Sequence, residues 1–254
     1  MIRFAAALLF ATAAHAQTPS HCIALADTGV TRAAFEDPLP EGRVRIHYVG
    51  HSTFALRTPG GVTAATDYHG WLGGLVPDIV TMNNAHSTHF TDTPDPAITH
   101  VLRGWEGDKR LELPEVIVRN VTTDVRDWAG GIREDGNSIF VFEVAGLCIG
   151  HLGHLHHEPD AAQYAALGRV DVLMVPVDGS YTMDVAVMGR VVQRLRSSVV
   201  LPMHWFSGRS LEVFLGNMEG SFDIVRPGVS QIDLGLDSLP RRPTIMVLEP
   251  SLPE

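Results

Sequence analysis

The sequence predicts an α/β fold in one domain, on three observations. Short apolar strands gather in the first part of the chain and alternate with helices in the second. Twenty-four glycines and 16 prolines supply the turns that close such short elements. A chain of 254 residues, 45% of them hydrophobic, can bury a large core. Residues 17–42 read as an irregular lead-in ending at Pro38-Leu39-Pro40, and 43–254 as the domain. Arg43 to Val49 alternates polar and apolar side chains at period two, and Ser52 to Arg57 continues toward the Pro59-Gly60-Gly61 turn, so antiparallel strands open the domain. Val62 to Thr66 and Asp78 to Met82 are further short strands, the second stopping at Asn83-Asn84. Thr93 to Leu102 is predicted as a helix capped by Thr93, with Pro94 at its first position. Strands resume at Glu115 to Val121, Ser138 to Val144 and Gly146 to Ile149, separated by turns at Gly130-Gly131 and Asp135-Gly136. Asp160 to Leu167 and Met183 to Leu195 have helical spacing on either side of a strand at Val170 to Val175, and Val199 to Leu201 is a last core strand.

Charge excludes some partners. Nineteen basic against 29 acidic residues give a formal net charge of -10, which repels nucleic acid and anionic lipid and leaves a small-molecule substrate as the expected partner. Arg3, the apolar run Phe4 to Ala14 and the small-x-small triplet Ala14-His15-Ala16 have the form of a secretory signal spanning residues 1–16. A periplasmic or secreted protein is expected, with no membrane span after signal removal; oligomeric state has no signature in the sequence. Cys22 and Cys148 are the only cysteines. One lies near the mature terminus and the other inside the apolar run Gly146-Leu147-Cys148-Ile149, an arrangement that argues against pairing.

The chemistry points to histidine. Of 13 histidines, five fall at the ends of predicted strands: His86 and His89 after Ile79-Val80-Thr81-Met82, His151 and His154 after Leu147-Cys148-Ile149, and His204 after Val199-Val200-Leu201. Strand ends converge on one edge of a sheet, so three loops can bring imidazoles around a single metal ion. The alternative for each histidine alone is a hydrogen-bonded loop residue.

At these residues the sequence resembles the metallo-β-lactamase fold, and within it the branch of metal-dependent hydrolases that includes L-ascorbate-6-phosphate lactonase. Tyr48-Val49-Gly50-His51-Ser52-Thr53-Phe54 is similar to that branch's early glycine-histidine strand, and Thr66-Asp67 to a strand end with a supporting aspartate. Gly136-Asn137-Ser138-Ile139-Phe140-Val141-Phe142 resembles its asparagine-led strand. The stretch from Asp171 to Met183, with Asp178-Gly179-Ser180-Tyr181-Thr182-Met183 at its end, resembles the strand and tyrosine-methionine loop before the penultimate helix. Leu201-Pro202-Met203-His204-Trp205 resembles the final metal-binding motif. The resemblance implies a metallo-β-lactamase-like αββα sandwich of two mixed β-sheets flanked by helices, with metal at one edge.

Several ligand positions depart from the pattern. The family's H-x-H-x-D-H loop, laid on this chain, gives Asn84, His86, Thr88 and His89, without the first histidine and the aspartate. A glycine-aspartate pair that supplies a bridging carboxylate becomes Gly153-His154, and a histidine in the preceding turn has no counterpart between Thr123 and Asp127. His86, His89, His154 and His204 remain, a set that suits one divalent ion, zinc first, with manganese, nickel, iron or copper as alternatives. His51 and Asp67 are the candidates to support the ligands and the catalysis, since a metal-bound histidine normally donates its other N–H to a carboxylate or carbonyl. His156 and His157 read as loop residues; Asp124, Arg126, Asp127 and Trp128 occupy the turn where a ligand is missing and are candidates for a pocket rim, where Arg126 would favour an anionic substrate, with a surface salt bridge as its preferred alternative role. Three functions stay open: a mononuclear hydrolase acting on an ester, lactone or phosphodiester, a non-catalytic metal or ligand binder, and a redox-metal protein.

Overall fold

The computed structural model describes residues 35–252 apart from 128 and 207, so the predicted signal, most of the lead-in, Cys22 and Trp128 lie outside the described residues. In chain order the first strands are β1 (Val44–Gly50), β2 (Thr53–Arg57), β3 (Thr63–Ala65), β4 (Ile79–Met82) and β5 (His100–Arg103). The long antiparallel strands β7 (Val116–Arg126) and β8 (Ile132–Val144) follow the short β6 (Arg110–Leu113), and β9 (Leu147–His151) ends this run. Helices then alternate with strands: α1 (Ala161–Leu167), β10 (Val172–Pro176), α2 (Val185–Leu195), β11 (Val199–Met203) and α3 (Arg209–Met218). The short strands β12 (Asp223–Val225), β13 (Gln231–Leu234) and β14 (Thr244–Met246) come last.

These strands form two mixed sheets. One has the order β13-β1-β2-β3-β4-β5, antiparallel from β13 to β3 and parallel from β3 to β5. The other has the order β12-β14-β11-β10-β9-β8-β7-β6, antiparallel from β6 to β9 and parallel from β9 onward. Period-two patterning explains how they stack. Ile46 and Tyr48 of β1 share a core with Phe140 and Phe142 of β8, Met174 of β10 and Leu201 of β11. The intervening residues Ile139, Val141, Leu173 and Val175 face the other way, onto Val191 and Val192 of α2 and Phe214 and Met218 of α3. Each large side chain buried in this way contributes about 1.5–3 kcal/mol relative to exposure. The two-sheet sandwich expected from the resemblance is present, with its helices on the outer face of the eight-stranded sheet. On the outer face of the six-stranded sheet, Tyr68, Leu72 and Ile98 pack on Val49, Ala55, Ala65, Val80 and Met82.

Two local expectations are corrected. Thr93 to Leu102 is not a helix: Asp95 Oδ1 accepts from Ala97 N–H at 2.9 Å and Asp95 O from Ile98 N–H at 3.0 Å, a turn flanked by Pro94 and Pro96, after which His100 to Arg103 pairs with β4. The prolines disfavour a helical entry, and the parallel pairing to β4 takes the backbone groups a helix would have used. Asp135-Gly136 is not a turn but lies inside β8, where Asp135 has φ of 51° opposite a register shift between Thr123 and Val125. Asp160 and Asp184, by contrast, cap α1 and α2 through their carboxylates, as the helical spacing leads one to expect. Among the described residues, no helix is long and apolar enough to cross a membrane.

Candidate metal centre

The parallel strands deliver their C-terminal ends to one edge of the sandwich, and the site is built there. His51 occupies the turn between β1 and β2, Asp67 follows β3, His86 and His89 follow β4, His154 follows β9 and His204 follows β11. Of the six non-glycine residues with positive φ among the described residues, three belong to this group: His51 at 52°, Asp67 at 42° and His204 at 58°. Strained backbone of this kind concentrates at functional sites, because surrounding structure must hold it in place.

His51, His89 and His204 come together, each offering a ring nitrogen within 4.8 Å of the others. Their outer nitrogens are anchored. His89 Nδ1 lies 2.8 Å from Asp67 Oδ2 and 3.1 Å from Ser52 Oγ, and His204 Nδ1 lies 3.0 Å from Asp178 Oδ1. A carboxylate only accepts, so each of these Nδ1 atoms carries a hydrogen, and the neutral tautomer this favours is the one with its lone pair on Nε2. His51 Nδ1 is 3.1 Å from the same Ser52 hydroxyl. Burial and then the neighbouring imidazoles His204 and His89 push His51 down to about 3, so it is neutral at pH 7. Burial also lowers His89, reinforced by His204, His86 and His151. Three imidazoles with a ring nitrogen each brought to one point, two of them backed by buried carboxylates, are a donor set that fits a divalent transition ion.

The carboxylates differ. Asp67 is fully buried and receives Asn83 N–H on Oδ1 at 3.0 Å; its burial pushes its pKa up, against the lowering influence of His151 and of that backbone hydrogen bond. Burial acts upward on Asp178 as well, but donation from His204, Thr182 and the Ser180 backbone outweighs it and holds the group well below the usual carboxylate range. Asp178 Oδ2 accepts backbone N–H bonds from Ser180 at 2.8 Å and Tyr181 at 2.5 Å, tying the loop after β10 to the site.

The remaining candidates fall around this group. His154 Nδ1 lies 2.8 Å from His89 Nε2, the nitrogen His89 has free, and its backbone N–H donates to Asn137 Oδ1 at 2.9 Å. Two lone pairs cannot face each other at that distance, so one of the two nitrogens carries a hydrogen, assigned to His154, and His89 Nε2 would give up that contact on holding a cation. His86 stands one layer out, its ring stacked on His154 at 5.3 Å and its Nδ1 3.1 Å from Thr88 Oγ1. His151 is a strut beneath the site, donating from Nε2 to Ser52 O at 2.8 Å. His156 accepts the Arg126 N–H on Nδ1 at 2.7 Å, with its ring 4.9 Å from His154. Asn84, at the position of the family's first histidine, accepts from the Arg133 guanidinium at 3.0 Å.

The histidines floor a pocket of about 330 Å³ whose walls include Thr88, Tyr181 and Phe206. Sequence reasoning passed over Asp178, Ser52, Asn83 and Phe206. Asp178 carried the signal already used for Asp67, a carboxylate directly after a core strand; Phe206 carried none beyond nearness to His204.

Residues 45–204, more than half of the chain, match the family described as the beta-lactamase superfamily domain. The chain belongs to that superfamily. A UPF0173 metal-dependent hydrolase of Anaeromyxobacter dehalogenans is 26% identical over 208 residues, covering 65% of this chain and 75% of the relative. A UPF0173 metal-dependent hydrolase of Thermoplasma acidophilum is 26% identical over 151 residues, 52% of this chain and 66% of the relative. Among solved structures, a Thermotoga maritima protein assigned as a Zn-dependent hydrolase of the metallo-β-lactamase superfamily superimposes with a TM-score of 0.61 and 27% identity over 81% of this chain and 98% of its own. Igni18, a metallo hydrolase from Ignicoccus hospitalis, shares the fold at a TM-score of 0.56 and 18% identity, over 76% of this chain and 99% of its own.

Proposed function

We propose that this member of the superfamily is an exported metal-dependent hydrolase that uses one divalent ion to act on an ester, lactone or phosphodiester. The observation that carries the reading is the group His51, His89 and His204, with carboxylates behind two of its members and a pocket above it. These three residues would hold the ion, with His154 beside them as the fourth. When bound, the ion supplies Lewis acidity that makes water a stronger acid and polarises the bond to be cut. Asp67 and Asp178 keep the ligand imidazoles in the tautomer that presents Nε2. His86, in the pocket wall and lowered by burial, is neutral and takes the proton of the attacking water. For an ester, the water oxygen adds to the carbonyl carbon, the C–O bond to the alcohol breaks, and the proton held by His86 passes to the leaving oxygen.

A single ion is supported by Asn84, whose amide oxygen is already engaged by Arg133, and by Thr123, whose hydroxyl accepts from Asn137 Nδ2 at 2.8 Å in the segment where the family's histidine is missing. Similarity to UPF0173 hydrolases supports the reaction class. The Arg3, apolar-run and Ala14-His15-Ala16 pattern supports export, and the strand and loop motifs support kinship with the lactonase branch. The test is elemental analysis of protein purified without a polyhistidine tag, with assays on ester, lactone and phosphodiester substrates. One tight ion per chain is expected, together with metal-dependent turnover. His204→Ala should lose most of the ion and His156→Ala should keep it. Two tightly held ions per chain overturn the ligand assignment, and metal binding without turnover of any substrate overturns the enzyme.

A further inference from the structure

Resting on the hydrolase reading, we propose that the pocket selects neutral esters or lactones with an apolar acyl part and discriminates against phosphorylated or otherwise anionic substrates. The first observation is the wall. Phe206 packs its ring 4.8 Å from His204 and 5.6 Å from His51, and Tyr181 meets Phe206 edge-on at 5.7 Å. Both rings are open to solvent, Tyr181 at 62% and Phe206 at 52%, in a protein that fully buries Tyr48, Phe54, Phe140, Phe142 and Phe214. An apolar group lying against this pair removes water from both rings as well as from itself, the dominant source of affinity for small ligands.

The second observation is charge. Among the described residues lining the pocket there is no arginine, lysine, aspartate or glutamate. Two arginines of the surrounding segments, Arg126 and Arg133, are engaged with protein oxygens. Arg126 donates to the carbonyls of Ser180, Tyr181 and Thr182 at 3.2, 3.3 and 2.7 Å, and Arg133 donates to Asn84 and Gly136. Phosphate recognition uses guanidinium forks or helix N-termini; among the described lining residues there is neither. The carboxylates of Asp67 and Asp178 behind the imidazoles offset the charge of a divalent ion, and the formal charge of -10 repels anions at long range. Arg126 therefore shapes the Tyr181 loop through these carbonyls and is not counted as an anion recruiter.

The experiment compares the metal-loaded protein on p-nitrophenyl acetate, butyrate and hexanoate and on bis-p-nitrophenyl phosphate, and measures calorimetric binding of two non-substrates, benzylacetone and phenyl phosphate. kcat/KM should rise about two- to fourfold per added methylene until the pocket is filled, with the phosphodiester the poorest substrate and benzylacetone bound more tightly than phenyl phosphate. Phe206→Ala and Tyr181→Ala should flatten the chain-length series, and Phe206→Leu should restore part of it. Preference for the phosphodiester, tighter binding of phenyl phosphate, or an unchanged series in both alanine variants overturns the proposal. Benzylacetone binding without turnover of any substrate leaves the pocket assignment standing and removes the hydrolase reading; absence of both turnover and benzylacetone binding overturns the assignment itself.

Discussion

Asp178 does for His204 what Asp67 does for His89: it accepts the Nδ1 hydrogen and leaves Nε2 facing the centre. It also gathers the N–H groups of Ser180 and Tyr181, so one carboxylate fixes both a ligand and the loop that carries the aromatic wall. Asp178→Asn keeps the shape and removes the charge. Zinc affinity should fall about 10- to 100-fold, the usual cost of losing an outer carboxylate partner, and the metal-free protein should melt at a lower temperature as well, because His204, Thr182 and the Ser180 N–H all favour the ionised group that the variant lacks. Competition against a chromophoric chelator measures the affinity, and an unchanged value would show that the carboxylate has no influence on the imidazole. At this scale the sequence was partly legible. Asp67, His89, His154 and His204 are marked out by their positions after core strands, and the structure brings these side chains together, with His86 one layer out. The place of His51 inside the three-histidine group depends on a left-handed turn at φ of 52°, which residue type alone does not specify. Asp178 was missed because its partner lies 26 residues away and becomes a neighbour only once β10 and β11 pair.

The loops after the strands are as constrained as the strands. Gly153, between β9 and His154, has φ of 59° and sits against the Asn83 side chain, so an added methyl would collide with it. Asn83 in turn donates its backbone N–H to Asp67 and its amide to Ser138 O at 2.6 Å. Gly153→Ala therefore combines left-handed backbone strain of about 1–2 kcal/mol with overpacking of about 1–3 kcal/mol. Chemical denaturation should show a loss of that combined order. Gly216→Ala in α3, where the new methyl meets nothing within 4 Å, should instead be neutral or stabilising by about 0.5–1 kcal/mol. Equal effects from the two substitutions would remove the collision argument. Among the longer elements, β1 and α2 were legible from alternation and helical spacing and β8 only from Ser138 onward, whereas the helix α3 was not read from the sequence. The three- and four-residue strands β12, β13 and β14 were not legible, since so short a stretch shows no period; the pairing of β13 with β1, of β14 with β11 and of β12 with β14 creates them.

Across the whole molecule, the histidines make stability depend on pH. An unfolded histidine titrates near 6.5, whereas burial, followed by neighbouring imidazoles, lowers His51 to about 3, and burial, followed by Arg126 and His157, lowers His156 to about 4. His47, His89, His151 and His154 are lowered as well, with burial the largest cause in each. Below pH 6.5 the unfolded chain therefore binds more protons than the folded one, and stability falls as pH falls. The loss begins near 6.5 and continues to about 4, where His156 begins to titrate in the fold. Asp67, raised by burial, works in the opposite direction by taking up a proton in the folded state, but it is one group against several. Each fully buried histidine contributes at most about 1.4 kcal/mol per pH unit, and the partly exposed His156 contributes less because solvent screens it. For a domain of this size, two or more such groups should lower the melting temperature of the metal-free protein by on the order of 5 °C per pH unit between 6.5 and 5. Thermal unfolding of chelator-treated protein across that range measures the slope, and unfolding in two buffers of different ionisation enthalpy counts the protons taken up. A melting temperature that stays flat from pH 7 to 5 would mean that these histidines take up protons in the fold just as they do in the unfolded chain, so that burial does not hold them neutral and their lone pairs are lost to protons by pH 5.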